Sequence, residues 1–236
     1  MKGSTKELAP IQQLDLVSEI ASLVTKALLK GEYLPDEHLA EAQLARSLNV
    51  SRAPVREALR LLESRGLVIS KPRRGFFVRQ ITAKDLDDIY GLRIGIERHV
   101  IRELATRFTP EMMKSLHHQI DKMREVALIE SPELQVEEDL NFHRMLCVFC
   151  DNKRLLRVFD ELTHELRFSL FMMGDLYAEP IQLAETHLPI IEALMSADPD
   201  RCQEAIEYHI GVARAHVVHL FSPQDDHTIS DTHPSK

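Results

Sequence analysis

The stretch NVSRAPVREALRLLESRGLV, Asn49 to Val68, decides the fold. Arg52, Arg56 and Arg60 recur every fourth residue, and Arg65 follows. Residues four apart are neighbours on one face of a helix. Val55, Leu59 and Leu62, with Ala58, occupy another face. The stretch therefore reads as a short amphipathic helix with a cationic stripe. Ser51 stands where an N-cap hydroxyl can accept a first-turn amide. Pro54 sits inside that first turn, where its missing N–H costs nothing. Gly66 ends the helix. Such a stripe fits either a solvated surface or a helix laid against phosphates and guanines.

The flanks choose between these readings. Residues 11–30, IQQLDLVSEIASLVTKALLK, carry apolar residues at helical spacing, with Gly31 as the C-cap. After the turn EYLPD, EAQLARSL reads as a second short helix and NV as a tight turn. Beyond the stretch, LVIS and FFVRQ read as two strands around KPRRG, a hairpin with a basic tip. Gly75 there permits an unusual backbone angle. Helix, helix, turn, helix, basic hairpin is the order of a winged helix-turn-helix.

The chain of 236 residues has a net charge of -8, which taken whole argues against a polyanionic partner. The charge is divided, however. Residues 1–80 hold 13 Lys and Arg against 9 Asp and Glu, and the remainder holds 16 against 28. Within residues 46–79 the ratio is 9 to 2. A polyanion responds to this local field rather than to the sum. With 44% hydrophobic residues, 8 Gly and no Trp, the composition favours a mostly helical protein with a sizeable core. Three Cys make no disulfide framework. No apolar run approaches the ~18 residues of a membrane span, and the start, MKGSTKELAP, is not a signal peptide. These features lead to the expectation of a cytoplasmic protein with no membrane partner.

From Thr82 the pattern is helical throughout. Thr82 and Asp85 have capping-box spacing. Thr109–Pro110, Ser131–Pro132 and Asp198–Pro199 each place an N-cap before a Pro at the first helical position. Helices are predicted over about 83–107, 110–128, 132–150, 153–173, 180–196 and 199–221, forming an antiparallel bundle. Pro189 should kink the fifth of these. The predicted organisation is a flexible N-terminus (1–10), a winged helix-turn-helix (11–79), a linker (80–83), an all-α bundle (84–221) and a disordered tail (222–236). The fold class is mainly α.

In the bundle, Asp139 and His143 are four apart in DLNFH and share one helix face, while His187 and His209 lie on later helices. One carboxylate and three imidazoles suit zinc or nickel, and also manganese or iron, with positions left open. By spacing alone, a core histidine held by a hydrogen bond is the commoner outcome. Arg93 has Glu97 four residues on, so it fits either an internal ion pair or a buried carboxylate anchor. Asn141, Arg144 and His164 are further candidates for a pocket. Cys147 and Cys150 fall in the apolar run MLCVFC and read as core packing rather than a redox or zinc motif. RFSLFMM, Arg167 to Met173, reads as core or pocket wall.

The segment LARSLNVSRAPVREALRLLESRGLVISKPRRGFFV closely resembles the DNA-binding domain of the GntR family of bacterial transcription regulators. DLNFH, the spacing from His187 to His209, and LRIGIE resemble the ligand-sensing FCD domain of that family's FadR branch. The resemblance covers residues 11–221. It implies a homodimer on a palindromic double-stranded operator, governed by a small organic acid and acting as a repressor. It implies that Arg52 and Arg56 read base edges, with Ser51, Ala53 and Pro54 at the same helix start and Gly75 bringing the wing to the minor groove. Arg presents a fork that fits guanine O6 and N7. Arg46, Arg60, Lys71, Arg73 and Arg74 then serve as phosphate contacts, giving affinity and salt dependence without sequence. Ala42 stands where the fatty-acid-responsive member has a contact-making arginine, so the operator should differ. The resemblance also implies that Asp139, His143, His187 and His209 form a divalent-metal site and that Arg93 binds effector; Asn141 is a further effector-binding candidate on the residues alone. Two alternatives remain: a metal-dependent enzyme with an appended DNA-binding module, and a metal-free sensor. No general base stands convincingly beside the four residues, although Glu137 and Glu138 are near in sequence.

Overall fold

The computed structural model describes residues 13–129, 131–171 and 180–221. Helices α1 (Gln13–Leu29), α2 (Glu41–Ser47) and α3 (Arg52–Ser64) come first. A small sheet accompanies them, of β1 (His38–Leu39), β2 (Val68–Lys71) and β3 (Gly75–Val78). Ile20, Ala21, Val24 and Leu28 of α1 and Val55, Ala58, Leu59 and Leu62 of α3 are all buried, and the two helices pack together. The apolar spacing that marked α3 is thus the face that holds it to α1. The arginines are left outside because they lie on the opposite stripe. Truncating a leucine such as Leu59 in this core would cost about 2–5 kcal/mol.

The hairpin pairs Val68 with Val78 and Lys71 with Gly75, antiparallel. Arg73 (φ 61°) and Gly75 (φ 90°) both take left-handed backbone to close it. A third strand, not predicted, joins the other edge of β3, with His38 opposite Phe77 and Leu39 opposite Phe76. A two-residue strand has no periodicity to announce it; the open edge of β3 recruits it.

Among the described residues seven helices follow: α4 (Ala83–Ala105), α5 (Pro110–Ala127), α6 (Pro132–Phe149), α7 (Lys153–Phe171), α8 (Pro180–Glu185), α9 (Leu188–Met195) and α10 (Pro199–Phe221). Thr82 and Asp85 form the expected capping box. Thr109 and Ser131 accept the Met112 and Leu134 amides, and Asp198 accepts those of Asp200 and Arg201. Helices α4 and α10 run antiparallel, tied by Arg102–Asp200, Arg98–Glu207 and Arg214–Asp87.

Two expectations need correction. The helix predicted over about 180–196 is two helices. Pro189 occupies the first turn of α9. Its ring denies a hydrogen bond to the preceding turn, so the chain breaks at Thr186–His187 rather than bending. Ser51 occupies the N-cap of α3 but its side chain makes no capping bond. The third helical position, whose amide a capping hydroxyl would seek, is Pro54. The regions read as flexible N-terminus (1–10) and disordered tail (222–236), and Met172 and Met173, lie outside the described residues. Among the described residues no helix is long and apolar enough to cross a membrane.

Candidate functional site

Arg52, Arg56 and Arg60 are exposed on α3, and Arg46 is exposed at the end of α2. Ser51 and Ala53 are exposed beside them, whereas Pro54 is buried. Pro54 therefore shapes the helix start and offers no contact of its own. Arg73 and Arg74 project from the wing, and Lys71 is half-buried, 4.3 Å above the Phe77 ring. A concavity between α2 and α3, lined by Ala42, Arg46, Asn49, Ser51 and Arg52 among others, lies over the uncapped start of α3. Free first-turn amides and two guanidinium groups there suit a phosphate. Arg56 is not free: its Nε and one Nη donate to the Glu41 carboxylate at 2.9 and 2.7 Å. This side-on fork leaves the other edge of the guanidinium facing outward.

A second site lies inside the bundle. Asp139, His143, His187 and His209 each bring one donor atom within 4.8 Å of the others. Asp139 and His143 are buried on α6, His187 is buried at the α8–α9 break, and His209 lies on α10. The break caused by Pro189 thus aims the His187 ring inward. Nε2 of His143 lies 3.2 Å from Nε2 of His209, and Nε2 of His187 lies 3.2 Å from a carboxylate oxygen of Asp139.

Two of the tautomers follow from the outer partners. Nδ1 of His143 is 2.5 Å from a Glu97 oxygen. Nδ1 of His187 is 3.0 Å from the Leu183 carbonyl. Both partners accept, so each Nδ1 carries a proton and each ring turns its Nε2 inward. Nε2 of His187 is buried and makes no hydrogen bond despite its nearness to Asp139. Burial raises the Asp139 carboxyl, but the closeness of the His187 and His143 rings and the Arg93 charge outweigh it and hold the group well below its usual value. Burial, then the Arg93 charge, lowers His143, and burial, then the other two rings, holds His209 well below the ordinary imidazole value. Burial thus disfavours protonation of His143 and His209 beside an ionised Asp139, a donor set suited to a cation. Metal–nitrogen bonds of about 2.0–2.1 Å place neighbouring donors roughly 3.0–3.4 Å apart, which the two 3.2 Å separations match. The residues present fit a divalent transition ion.

Asp139 and His209 also line a cavity of about 500 Å³ with Tyr90, Arg93, Gln182, Thr186 and Tyr208. Arg93 is buried and makes the internal ion pair with Glu97. Its Nε donates to Glu97 at 2.7 Å, while one Nη is buried with no partner. Asn141 is not in this wall. Two residues from Asp139, it faces the other side of α6 and donates to Glu138. Arg144 pairs with Asp160, and His164 lines a separate cleft with Arg65 and Leu67 of the DNA-binding half. Cys147 and Cys150 are buried, and burial raises both thiols. Tyr90, Gln182, Thr186 and Tyr208 were missed. Tyr90 and Tyr208 had a signal, lying three residues before Arg93 and one before His209.

Comparison with known proteins agrees with this architecture. Residues 16–78 match the profile described as "Bacterial regulatory proteins, gntR family", and residues 88–212 match the FCD domain. The Nta operon transcriptional regulator of Aminobacter aminovorans is 30% identical over 75% of this chain and 83% of its own length. The HTH-type transcriptional repressor RspR of Escherichia coli K12 is 28% identical over 86% and 89%. Among solved structures, E. coli McbR/YncC superposes with TM-score 0.71 at 20% identity over 88% of this chain and 99% of that one. A GntR transcriptional regulator from Rhodococcus sp. RHA1 gives 0.72 at 22% over 87% and 98%. At these identities the structures speak for the fold alone.

Proposed function

Since the chain belongs to the gntR family of bacterial regulatory proteins and carries an FCD domain, it is a transcription regulator of that type, and we propose that its bundle senses a small organic acid through a bound divalent ion. Asp139, His143, His187 and His209 hold the ion, zinc or nickel before manganese or iron. The ion supplies Lewis acidity and open positions for an oxygen donor. Arg93 offers its free Nη to the same effector, since a buried guanidinium edge is matched by a carboxylate. The observation that carries this reading is the convergence of four donor atoms within 4.8 Å at the wall of a cavity that Arg93 also lines.

On the DNA side, Arg52 and Arg56 read base edges of a palindromic operator. Arg46, Arg60, Lys71, Arg73 and Arg74 contact phosphates, with Ser51 and Ala53 at the helix start and Gly75 in the wing. A homodimer presents two α3 helices to successive major grooves. Repression is the expected sense, in keeping with the name of RspR. Glu137 is paired with Arg167 at 2.8 Å and Glu138 with Gln119 at 2.6 Å. The carboxylates nearest in sequence are thus engaged elsewhere, which supports a sensor rather than a metal-dependent enzyme.

The test is a thermal-shift screen of small carboxylic acids on metal-loaded and chelator-stripped protein. A ligand at ~100 times its dissociation constant stabilises by ~2.7 kcal/mol. Stabilisation confined to the loaded form is expected. A response that ignores the metal would leave the metal-free sensor.

A further inference from the structure

Glu97 is wholly buried on α4, four residues after Arg93, which is 2% exposed. One of its oxygens accepts from Arg93 Nε, and the other accepts from His143 Nδ1. Arg93 lines the cavity, and one Nη of Arg93 is buried without a partner. Beyond His143 lies the donor cluster. A single carboxylate therefore stands between the group facing the cavity and a group facing the ion site.

We propose that Glu97 is a positioning residue that couples the two, so that an anion on Arg93 and a divalent cation on His143 strengthen each other through the buried Arg93–Glu97–His143 chain. The proposal rests on the metal-anchored reading above. Arg93 draws the negative charge of Glu97 toward itself. An anion on the free Nη offsets the guanidinium charge and leaves more of the carboxylate's charge on the His143 Nδ1–H. That makes Nε2 the stronger donor and fixes the ring. By linkage, the cation must tighten the anion by the same factor.

The experiment is a zinc titration of the full-length protein against a chromophoric chelator, with no organic acid present. Glu97→Gln is expected to weaken zinc by about 10–100-fold, the usual effect of losing an outer partner of a ligating histidine. Arg93→Met is expected to tighten zinc, since it releases Glu97 to His143 and removes a nearby positive charge. In the Glu97→Gln background the same Arg93→Met change should tighten zinc less. A merely structural pair would weaken zinc in both single variants, so the opposite signs carry the test. Zinc affinity of Glu97→Gln within twofold of the parent, or a weakening by Arg93→Met, overturns the coupling while leaving the metal site standing. A parent protein that takes no zinc overturns the metal site itself. Should Glu97→Gln fail to fold, nitrogen-15 spectra of the chelator-stripped parent decide. His143 protonated at Nδ1 supports the chain, and a proton on Nε2 removes it.

Discussion

Gly66→Ala tests how the two halves of the molecule meet. Gly66 follows α3 with φ 72°, a left-handed conformation, and donates its amide to the Glu63 carbonyl. It also faces the bundle. A Cβ there would lie 2.5 Å from Cγ and Cδ of Glu165 on α7 and 2.8 Å from a carboxylate oxygen. Glu165 accepts from Arg79 at 2.6 Å, and Arg79 also donates to Asp85 at 2.7 Å and to the Gly66 carbonyl. The substitution has two effects. The left-handed backbone costs an alanine about 1–2 kcal/mol. The methyl displaces Glu165, and a partly exposed ion pair of this kind is worth at most about 1 kcal/mol. The total is about 1–3 kcal/mol, roughly 2–12 °C for a chain of this length. Melting followed by circular dichroism should be run for Gly66→Ala alone and in a Glu165→Ala background. In the second background only the backbone cost should remain. An equal loss in both would refute the reasoning, because it would mean that Glu165 does not press on Gly66.

Arg52→Ala and Arg56→Ala should each lose about 1–3 kcal/mol of discrimination between operator and scrambled duplex. Arg60→Ala should instead weaken both duplexes alike and lower the salt slope by about one; fluorescence anisotropy at several salt concentrations separates the cases. Glu41→Gln frees Arg56 and removes a negative charge, so binding to scrambled duplex should rise while discrimination falls. In chelator-stripped protein, unfolding lets His143 and His209 take up protons that burial denies them in the native state. Their contribution is present above the ordinary imidazole value of 6.5 and lost as pH falls below it toward the depressed native values. Melting temperatures should therefore fall from pH 7 to pH 5.5, and a rise would contradict the neutral-ring assignment.

Much of the architecture is local and was legible. The caps Thr82, Thr109, Ser131 and Asp198 announce α4, α5, α6 and α10 because a capping side chain and its amides lie within three residues. The α3 stripe is visible because one helix face is a matter of spacing. The exceptions are equally physical. The hydroxyl of Ser51 was expected to cap, but Pro54 removes the amide it would have served. Strand β1 exists only because an edge far along the chain needs a partner. For the bundle site, the residues alone offered four scattered donors. The resemblance, rather than the spacing, drew them together; Asn141, a pocket candidate on the residues alone, is turned away by the helix.

Glu97 marks where reading by spacing ends. Its pairing with Arg93 is an i,i+4 contact on one helix, and the sequence offered it as an alternative to an anchoring role for that arginine. The fold does not make the two exclusive, because Arg93 has several donors: Nε meets Glu97 while one Nη is buried without a partner in a residue that lines the cavity. The second contact of Glu97, to His143 across 46 residues, depends on how α4 and α6 pack. No property of LRIGIE or DLNFH taken singly implies it. Ligands on one helix can bind, but only a group shared between helices can let what binds at one be felt at the other. In this chain one such group is a carboxylate between an arginine and an imidazole, and at the domain junction another is Arg79, between Asp85 and Glu165.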